Sequence, residues 1–469
     1  MKHYLLVDFG STYTKLTAVD LDKEDIIATS KSITTVETDI IEGYEKALHQ
    51  LYQVMGKPII FDKVVACSSA AGGLKMAAIG LVEELTTEAA KRVCLGAGAK
   101  VELVISHHMN KSEVQKIMDK NIDIVLLAGG ANGGNQECVI HNAKMLAKSD
   151  VKAPIVFAGN KDAIDEVTDI LKDANKDFYI CENVMPKLNI LNIDSAKDTI
   201  KEIFVKNIIE AKGIKKVEKV VDRVVLPTPH AVLMAAELLS KGYQDEIGFG
   251  DLMLADVGGA TTDIYSMAQG LPSQMNAVLS GLEEPFAKRT VEGDLGMRYS
   301  ALGVLETFTE SEIHQLSLKN IDLLDACTKR NLDIEMIPLT DMDKKIDDIL
   351  AKRSVEVATS RHVGTLKGVY TPMGMMYHQT GKDLTQTTYY IGTGGSIIHS
   401  EDPVSILKHG AKLTSKPMEL RPHRPKYLLD QSYILSAMGL LSMDYPLIAL
   451  KIMKKHIVEL EEKQDAGNE

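Results

Sequence analysis

Two aspartates occupy matching positions in two similar stretches of this sequence. Residues 4–19 read YLLVDFGSTYTKLTAV, and residues 252–267 read LMLADVGGATTDIYSM. In each stretch an apolar run ends in an aspartate, Asp8 or Asp256, and a glycine, Gly10 or Gly258, follows two residues later. Each stretch predicts a β-hairpin with a carboxylate at its bend. The repetition suggests a duplicated unit whose halves could face each other.

A turn of this composition can bind phosphate. Glycine permits a close approach of the backbone, so that amide N–H groups can converge on phosphate oxygens. The hydroxyls of Ser11, Thr12, Thr261 and Thr262 add donors. An aspartate would repel phosphate but can hold Mg²⁺, which prefers oxygen ligands and keeps several waters. Two such turns would clamp a β/γ-phosphate tail, and the glycine-rich turn at 392–395, GTGG, could approach a nucleoside.

Other interpretations of these turns remain open. An Asp-x-Gly turn taken alone is more commonly plain hairpin chemistry. The matched pair, followed by IGTGG, favours a nucleotide site. The stretch AGGANGG at 128–134 fits a structural turn and a phosphate loop equally well. The patterns G-x-x-x-x-G-K-[ST] and G-x-G-x-x-G do not occur in the sequence, so those common nucleotide sites are not predicted.

The elements around these turns predict an α/β protein. Strand-like and helix-like segments alternate along the chain. Three strand–turn–helix repeats between residues 122 and 184 indicate a small parallel sheet. Residues 226–242, LPTPHAVLMAAELLSKG, predict a helix with Thr228 as its N-cap and Pro229 in its first turn.

Composition excludes several classes of protein. The chain has 469 residues, and at roughly 150 residues per domain this predicts two or three domains. A net charge of −12 argues against a nucleic-acid-binding protein. The five cysteines form no C-x-x-C pair, which argues against zinc and iron–sulfur sites. Scattered cysteines, the missing signal peptide and the missing long apolar run together predict a cytoplasmic protein without a membrane anchor.

Four stretches in fixed order carry a resemblance to a known superfamily. VDFGSTYTK, PTPHAVLMAAE, ADVGGATTD and IGTGG resemble the phosphate-1, connect-1, phosphate-2 and adenosine motifs of the ATPases that include actin, sugar kinases and heat-shock chaperones. The resemblance implies two RNase H-like domains with ATP and Mg²⁺ in the cleft between them. It implies that Asp8 and Asp256 hold hydrated Mg²⁺.

The resemblance also assigns the remaining site residues. The implied catalytic residues are Asp8, Asp256, Thr261 and Asp263. The implied phosphate and nucleotide ligands are Gly10, Ser11, Thr12, Lys15, Gly258, Gly259, Thr262, Gly392, Gly394 and Gly395.

The whole chain resembles the MutL/GlmL family. The stretches that carry this likeness are LLVDFGSTYTK, VVACSSAAGGLKMAA, DIVLLAGGANGGN, LPTPHAVL and DVGGATTD. The resemblance implies an ATP-dependent reactivating chaperone for an adenosylcobalamin-dependent mutase, above all glutamate mutase, with D-ornithine aminomutase as the alternative partner. Adenosylcobalamin would then enter only through the partner enzyme. A small-molecule kinase or a polymerising assembly protein on the same scaffold are the other hypotheses.

These inferences define a domain plan. Residues 1–84 form the first part of domain I, and an inserted α/β unit at 85–222 is the candidate docking module. A connect helix region at 223–250 leads to domain II at 251–469, which has an insertion at about 283–380.

One position departs from the superfamily pattern. The chaperone ATPases carry a glutamate before the connect-1 proline, where this chain has Leu226. Thr228 or His230 are the possible substitutes, and Asp263 and Thr261 are the candidates to orient the attacking water.

Overall fold

The computed structural model describes residues 2–10, 12–35, 40–69, 74–211, 221–372 and 374–461. Ser11 and the segment 70–73 of the predicted motifs therefore lie outside the described residues. The chain divides into two compact units. Unit 1 comprises Met1–Asp22 and Ile26–Ala231, and unit 2 comprises Lys23–Asp25 and Val232–Glu469.

The first half of the chain alternates strands and helices. Its described strands are β1 (His3–Phe9), β2 (Tyr13–Asp20), β3 (Asp25–Ile33), β4 (Lys63–Ser68), β5 (Lys75–Gly80), β6 (Lys100–Ser106), β7 (Ile124–Leu127), β8 (Ile155–Phe157), β9 (Phe178–Ile180) and β10 (Arg223–Pro227). Its described helices are α1 (Ile40–Met55), α2 (Glu88–Gly96), α3 (Lys111–Asp119), α4 (Glu137–Ala147), α5 (Ile164–Asp173), α6 (Asp194–Ala211) and α7 (Thr228–Lys241).

The first sheet carries the first predicted turn. Its strand order is β10-β4-β1-β2-β3. Strands β1 and β2 form the predicted hairpin, and β1 runs parallel to β4, which runs parallel to β10. Helix α1 packs on β2 and buries Tyr44, Ala47 and Leu51, which lie on one helical face. Strand β1 is buried from Tyr4 to Phe9, so Asp8 lies in a stretch that is otherwise apolar.

A second sheet in the same half is parallel throughout. Its strand order is β6-β5-β7-β8-β9, and each neighbouring pair is parallel. Its core includes Ile79, Val125 and Phe157, with Val139 and Val167 from the flanking helices. The predicted parallel sheet is therefore confirmed. It also contains β5, which precedes residue 85, while the domain boundaries themselves stay predictions.

The second half of the chain repeats this alternation. Its described strands are β11 (Gly242–Tyr243), β12 (Glu246–Ile247), β13 (Leu252–Val257), β14 (Thr262–Met267), β15 (Ala277–Leu279), β16 (Ala287–Glu292), β17 (Thr365–Thr371), β18 (Gly374–Thr380), β19 (Tyr389–Thr393), β20 (Lys426–Asp430) and β21 (Ile457–Glu459). Its described helices are α8 (Ala301–Glu306), α9 (Glu310–Ser317), α10 (Leu323–Leu332), α11 (Asp341–His362), α12 (Gly395–Ile398), α13 (Pro403–Lys408), α14 (Leu435–Ser442) and α15 (Pro446–His456).

The main sheet of unit 2 has the strand order β16-β14-β13-β19-β20-β21. Strands β13 and β14 form the second predicted hairpin, and β13 runs parallel to β19, which runs parallel to β20. Helix α11 packs on this sheet, and its residues Leu350 and Val355 share a core with Ala255 and Ile264. A three-stranded sheet has the order β15-β18-β17, and β11 and β12 form a two-stranded sheet.

The two main sheets therefore share one arrangement. In each, the first strand of the hairpin lies between its antiparallel partner and a parallel strand that comes later in the chain. The first five strands of each sheet, numbered by sequence within it, lie in the order third, second, first, fourth, fifth, and the unit 2 sheet adds the antiparallel β21 as a sixth strand. This is the arrangement expected of the RNase H-like halves. The predicted α/β class with two such sheets and an additional α/β unit in the first half is confirmed. Within the described residues, every helix is too short or too polar to cross a membrane.

Candidate functional site

The first turn is tight because of a hydrogen bond across it. The Gly10 amide donates to the Tyr13 carbonyl over 3.1 Å. A Cβ added to Gly10 would lie 2.6 Å from that carbonyl oxygen, so a side chain would force the turn apart. The Thr12 carbonyl accepts from the Thr34 amide at 2.9 Å, which ties the turn to the end of β3.

Asp8 lies at the end of β1 and is only 3% exposed. In the hairpin register it faces Lys15, whose Nζ lies 3.9 Å from Asp8 Oδ2. The Thr228 hydroxyl donates to Asp8 Oδ1 at 2.6 Å, and the Cys67 Sγ lies 3.6 Å from the same oxygen. Burial and the nearby Asp8 charge raise the pKa of the Cys67 thiol well above its usual value, so Cys67 is an uncharged neighbour. The buried carboxylate is therefore held by donors from three other elements.

The connect region supplies one of those donors. Strand β10 runs beside β4, with Leu226 paired to Cys67, and Leu226 is buried. Thr228 follows as the first residue of α7. His230 is also buried, and its Nδ1 donates to the Gly96 carbonyl over 3.0 Å. Burial lowers the pKa of His230 to about 3. Of the two possible substitutes for the missing glutamate, Thr228 contacts Asp8 and His230 bonds to α2 instead.

The second turn has the same closing hydrogen bond as the first, and a neighbouring segment also bonds to it. The Gly258 amide donates to the Thr261 carbonyl at 2.9 Å, as Gly10 does to Tyr13. The carbonyls of Gly258 and Gly259 accept from the amides of Met297 and Arg298 at 3.0 and 2.8 Å. The segment that follows β16 therefore fixes the shape of this turn.

The two threonines of the second turn differ in their partners. Thr262 is buried, and its hydroxyl donates to the Leu295 carbonyl over 2.6 Å. The Thr261 side chain is partly exposed, and its hydroxyl donates to Asp263 Oδ2 over 3.1 Å. Thr262 is thus engaged in the core, whereas the Thr261 oxygen keeps acceptor lone pairs at the turn.

Asp263 is part of a buried ion pair. It faces Asp256 across the hairpin and is 7% exposed. Its Oδ1 accepts from Arg289 Nε at 2.8 Å and from Arg289 Nη2 at 2.6 Å. Burial opposes the charge on Arg289, but the Asp263 carboxylate and the Tyr265 side chain together outweigh this effect and raise the pKa of the guanidinium. Asp263 is therefore committed to Arg289 through one oxygen and to Thr261 through the other.

Asp256 lies beside the predicted adenosine turn. Strands β13 and β19 pair in parallel with Asp256 next to Thr393. Gly394 has φ +92°, and a Cβ there would lie 2.4 Å from the Val257 carbonyl oxygen and 2.9 Å from Asp256 Oδ1. The Tyr433 hydroxyl donates to Asp256 Oδ1 over 3.3 Å. The turn thus lies against the Asp256 carboxylate within unit 2.

The other two glycines of the adenosine turn differ from each other. A Cβ on Gly392 would lie 2.8 Å from Ile397, so this glycine permits close packing of β19 on α12. A Cβ on Gly395 would meet nothing within 4 Å. Gly395 is therefore the open position of this turn.

The carboxylates suit a hydrated Mg²⁺. Among the described residues, no group of three or more histidine, cysteine, aspartate or glutamate side chains is placed to hold a metal ion. Asp8 and Asp256 each offer carboxylate oxygens next to the turn of their own unit. Mg²⁺ commonly uses one or two carboxylates together with waters and phosphate oxygens, so each carboxylate is a suitable ligand for this ion.

Several contacts were not predicted from the sequence. Arg289 at Asp263, Tyr433 at Asp256 and Cys67 at Asp8 come from strands or loops far along the chain. No motif marks Arg289 or Tyr433, and the stretch VVACSSAAGGLKMAA, which contains Cys67, gives that residue no role. The signals were limited to an arginine inside a strand-like segment and a cysteine at the end of an apolar run.

The fold and the paired turns define an α/β protein with two RNase H-like sheets and a carboxylate-bearing turn in each. The amino-acid sequence matches the family described as MutL protein over residues 4–457, and the chain belongs to this family. Protein MutL of Clostridium tetanomorphum is 52% identical over 462 residues, which cover 98% of this chain and 100% of that protein.

Similar solved structures are more distant. Gluconate kinase of Lactobacillus acidophilus aligns with a TM-score of 0.35 and 10% identity, covering 98% of this chain and 93% of the kinase. The (R)-2-hydroxyglutaryl-CoA dehydratase component A of Acidaminococcus fermentans aligns with a TM-score of 0.29 and 10% identity, covering 97% of this chain and 99% of that chain.

Proposed function

We propose that this protein is an ATP-dependent reactivating factor for an adenosylcobalamin-dependent mutase. The observation that carries the proposal is the repeated hairpin. Asp8 and Asp256 lie near the ends of β1 and β13, which hold the same place in two sheets whose first five strands share one order, and the same backbone hydrogen bond closes each turn. Membership of the MutL family supports the reactivating role.

The proposed nucleotide ligands come from both turns. Asp8 and Asp256 would hold Mg²⁺ through water, and the Mg²⁺ would neutralise charge on the β- and γ-phosphates. Amides of the turns at 10–12 and 258–261 would bind phosphate oxygens, and Lys15 would add positive charge. The turn at 392–395 would contact the adenosine. Hydrolysis needs mainly positioning and charge neutralisation, so these groups suffice for a slow ATPase.

The hydrogen bonds of Thr261 and Asp263 support different roles for these two residues in orienting the attacking water. Because Asp263 Oδ1 is bound by Arg289, the residue is a poor candidate for a mobile base. Its Oδ2 accepts a hydrogen bond from the Thr261 hydroxyl, which leaves the lone pairs of the Thr261 oxygen able to accept a hydrogen bond from a water. We assign Thr261 to orient the attacking water and Asp263 to orient Thr261.

The proposed partner is glutamate mutase, with D-ornithine aminomutase as the alternative. Binding and hydrolysis of ATP would drive a hinge transition, and a mutase docked on the moving part would release damaged cobalamin and accept intact adenosylcobalamin. The α/β unit at 85–222 is the proposed docking module, because the nucleotide turns do not require it. Cobalamin would be bound by the mutase.

Reactivation of an inactivated mutase tests this function. Glutamate mutase holding cyanocobalamin is incubated with the protein, ATP, Mg²⁺ and adenosylcobalamin, and mutase activity is followed. We expect recovery only when all four are present, and none when a non-hydrolysable ATP analogue replaces ATP. The same assay with ornithine aminomutase identifies the partner. If neither mutase recovers while a metabolite becomes phosphorylated, the protein is a small-molecule kinase and the reactivating role is wrong.

Hydrogen exchange of the full-length complex tests the docking module. We expect the amides protected by the mutase to lie mainly within 85–222. Protection confined to residues 251–461 would overturn this assignment and leave the ATPase proposal intact.

A further inference from the structure

We infer that Thr228 is the positioning residue that fixes the Asp8 carboxylate for the metal. The inference rests on the proposed Mg·ATP hydrolysis and names a residue which that proposal does not require.

The Thr228–Asp8 contact is short and partly buried. The hydroxyl-to-carboxylate distance of 2.6 Å lies in the range of charge-assisted O–H···O⁻ bonds. A carboxylate that is 3% exposed needs hydrogen-bond donors from the protein, since water reaches little of it. Lys15 is 3.9 Å away, and the Cys67 thiol, a weak donor, is 3.6 Å away. Thr228 makes the shortest of these three contacts.

The contacts divide the two oxygens of Asp8. Thr228 and Cys67 approach Oδ1, whereas Lys15 approaches Oδ2. Anchoring one oxygen fixes the plane of the carboxylate and thereby the direction of the other. Oδ2 is then the atom that would accept from a metal-bound water, with Lys15 as the neighbouring cation.

Local structure explains why Thr228 occupies this place. Strand β10 pairs with β4 up to Pro227 beside Ser68, so Thr228 follows directly past the strand end, near the ends of β4 and β1. Pro229 comes next, and a proline restricts the backbone of the residue before it. The Thr228 hydroxyl is therefore presented to Asp8 by a constrained backbone.

The neighbouring residues cannot take this role. Leu226 has an apolar side chain and is buried beside Cys67. His230 donates its Nδ1 proton to the Gly96 carbonyl in α2. Thr228 is thus the residue of the LPTPH stretch whose side chain contacts the Asp8 carboxylate.

The Mg²⁺ requirement of ATP turnover tests the inference. The Mg²⁺ concentration for half-maximal turnover is measured for wild type, Thr228→Val and Thr228→Ser. Loss of a partner that orients a metal ligand typically costs 10- to 100-fold in metal affinity or activity, so we expect Thr228→Val to need about 10- to 100-fold more Mg²⁺. Thr228→Ser keeps the hydroxyl and should resemble wild type. ATP binding in excess EDTA should be equal in all three.

Thr14→Val is the matched control. Thr14 is buried in the same sheet, and its hydroxyl bonds to Thr34 rather than to Asp8. Removal of this hydroxyl should leave the Mg²⁺ requirement unchanged. If Thr228→Val does not fold by circular dichroism, Thr228→Ala replaces it in the same comparison.

The outcomes separate this inference from the proposed function. A wild type with Mg²⁺-dependent turnover and a Thr228→Val or Thr228→Ala variant with the same requirement would overturn the inference alone. Equal losses in the serine and valine variants would also overturn it, because packing rather than the hydroxyl would then matter. A wild type that does not hydrolyse Mg·ATP would overturn the proposed function and this inference with it.

Discussion

The two Asp-Gly hairpins are closed by the same backbone hydrogen bond, but the residues opposite their aspartates carry opposite charges. In the first hairpin Asp8 faces Lys15, and in the second Asp256 faces Asp263. A cation opposite a carboxylate stabilises a strand pair, whereas two carboxylates opposite each other destabilise it. The second hairpin is compatible with folding because Arg289 neutralises Asp263.

The position of Arg289 shows how that neutralisation is built. Strand β16 pairs with β14 so that Arg289 lies opposite Tyr265, two residues from Asp263. A diagonal neighbour at this separation is within reach of a long side chain. The pair is buried, with Arg289 5% exposed. The cation therefore comes from a different place in each sheet. In the first hairpin Lys15 lies on the partner strand β2, and in the second Arg289 lies on a third strand, β16.

The largest predicted effect is on stability, from breaking the Arg289–Asp263 pair. Arg289→Met would leave a buried carboxylate without its cation, which typically costs about 3–5 kcal/mol in the free energy of unfolding. Denaturant unfolding measures the loss. The double variant Arg289→Met/Asp263→Asn has no unpaired buried carboxylate, so it should recover a large part of the lost unfolding free energy. A single variant as stable as wild type would show that the pair does not compensate the second hairpin.

The next effect is on catalysis, from removing each turn carboxylate. Asp8→Asn and Asp256→Asn should each lower Mg·ATP turnover by about 100-fold or more, since a metal stabilises the transition state by several kcal/mol and 2.7 kcal/mol is 100-fold. Steady-state ATP hydrolysis gives the comparison, and circular dichroism should show both variants folded. Wild-type turnover in both variants would contradict the proposal that Asp8 and Asp256 hold the Mg²⁺. A loss of turnover in one variant alone would show that the two hairpins are not equivalent.

Local patterns made the elements of this site predictable. The hairpins follow from an apolar run, a glycine turn and a second apolar run within twenty residues, and the structure contains both. The RNase H-like arrangement followed from a resemblance carried by four short motifs. The roles assigned to the site residues stay predictions.

The residues that contact the carboxylates could not be predicted from local sequence patterns. Asp8 and Thr228 are 220 residues apart, and Asp263 and Arg289 are 26 apart. Their contacts depend on which strands become neighbours and in what register. The sequence does not choose between Thr228 and His230 because both follow the same strand. The structure separates them, since Thr228 bonds to Asp8 and His230 bonds to Gly96. Asp263 was a candidate to orient water, and its ion pair points to an indirect role through Thr261.

A smaller effect on stability is expected within the adenosine turn. Gly394→Ala places a side chain at φ +92° and 2.4 Å from the Val257 carbonyl oxygen, and a strained backbone of this kind costs about 1–3 kcal/mol. Gly395→Ala is the control, since a Cβ there meets nothing within 4 Å, and it should change the unfolding free energy by less than about 0.5 kcal/mol. Equal melting temperatures for the two variants would contradict the strain at Gly394.

The smallest effect on stability is expected at Lys15, the counterpart of Arg289 in the first hairpin. Lys15 Nζ is 3.9 Å from Asp8 Oδ2 and its side chain is 20% exposed, whereas Thr228 and Cys67 contact Asp8 Oδ1 independently of Lys15. Because the carboxylate keeps these two partners, Lys15→Met should cost less than Arg289→Met, about 1 kcal/mol in the free energy of unfolding. ATP affinity should fall at low salt and approach that of wild type as salt rises, which titration calorimetry measures. A loss as large as that of Arg289→Met would show that the two hairpins balance their charges in the same way, because a partly exposed lysine would then stabilise its carboxylate as strongly as the buried arginine does.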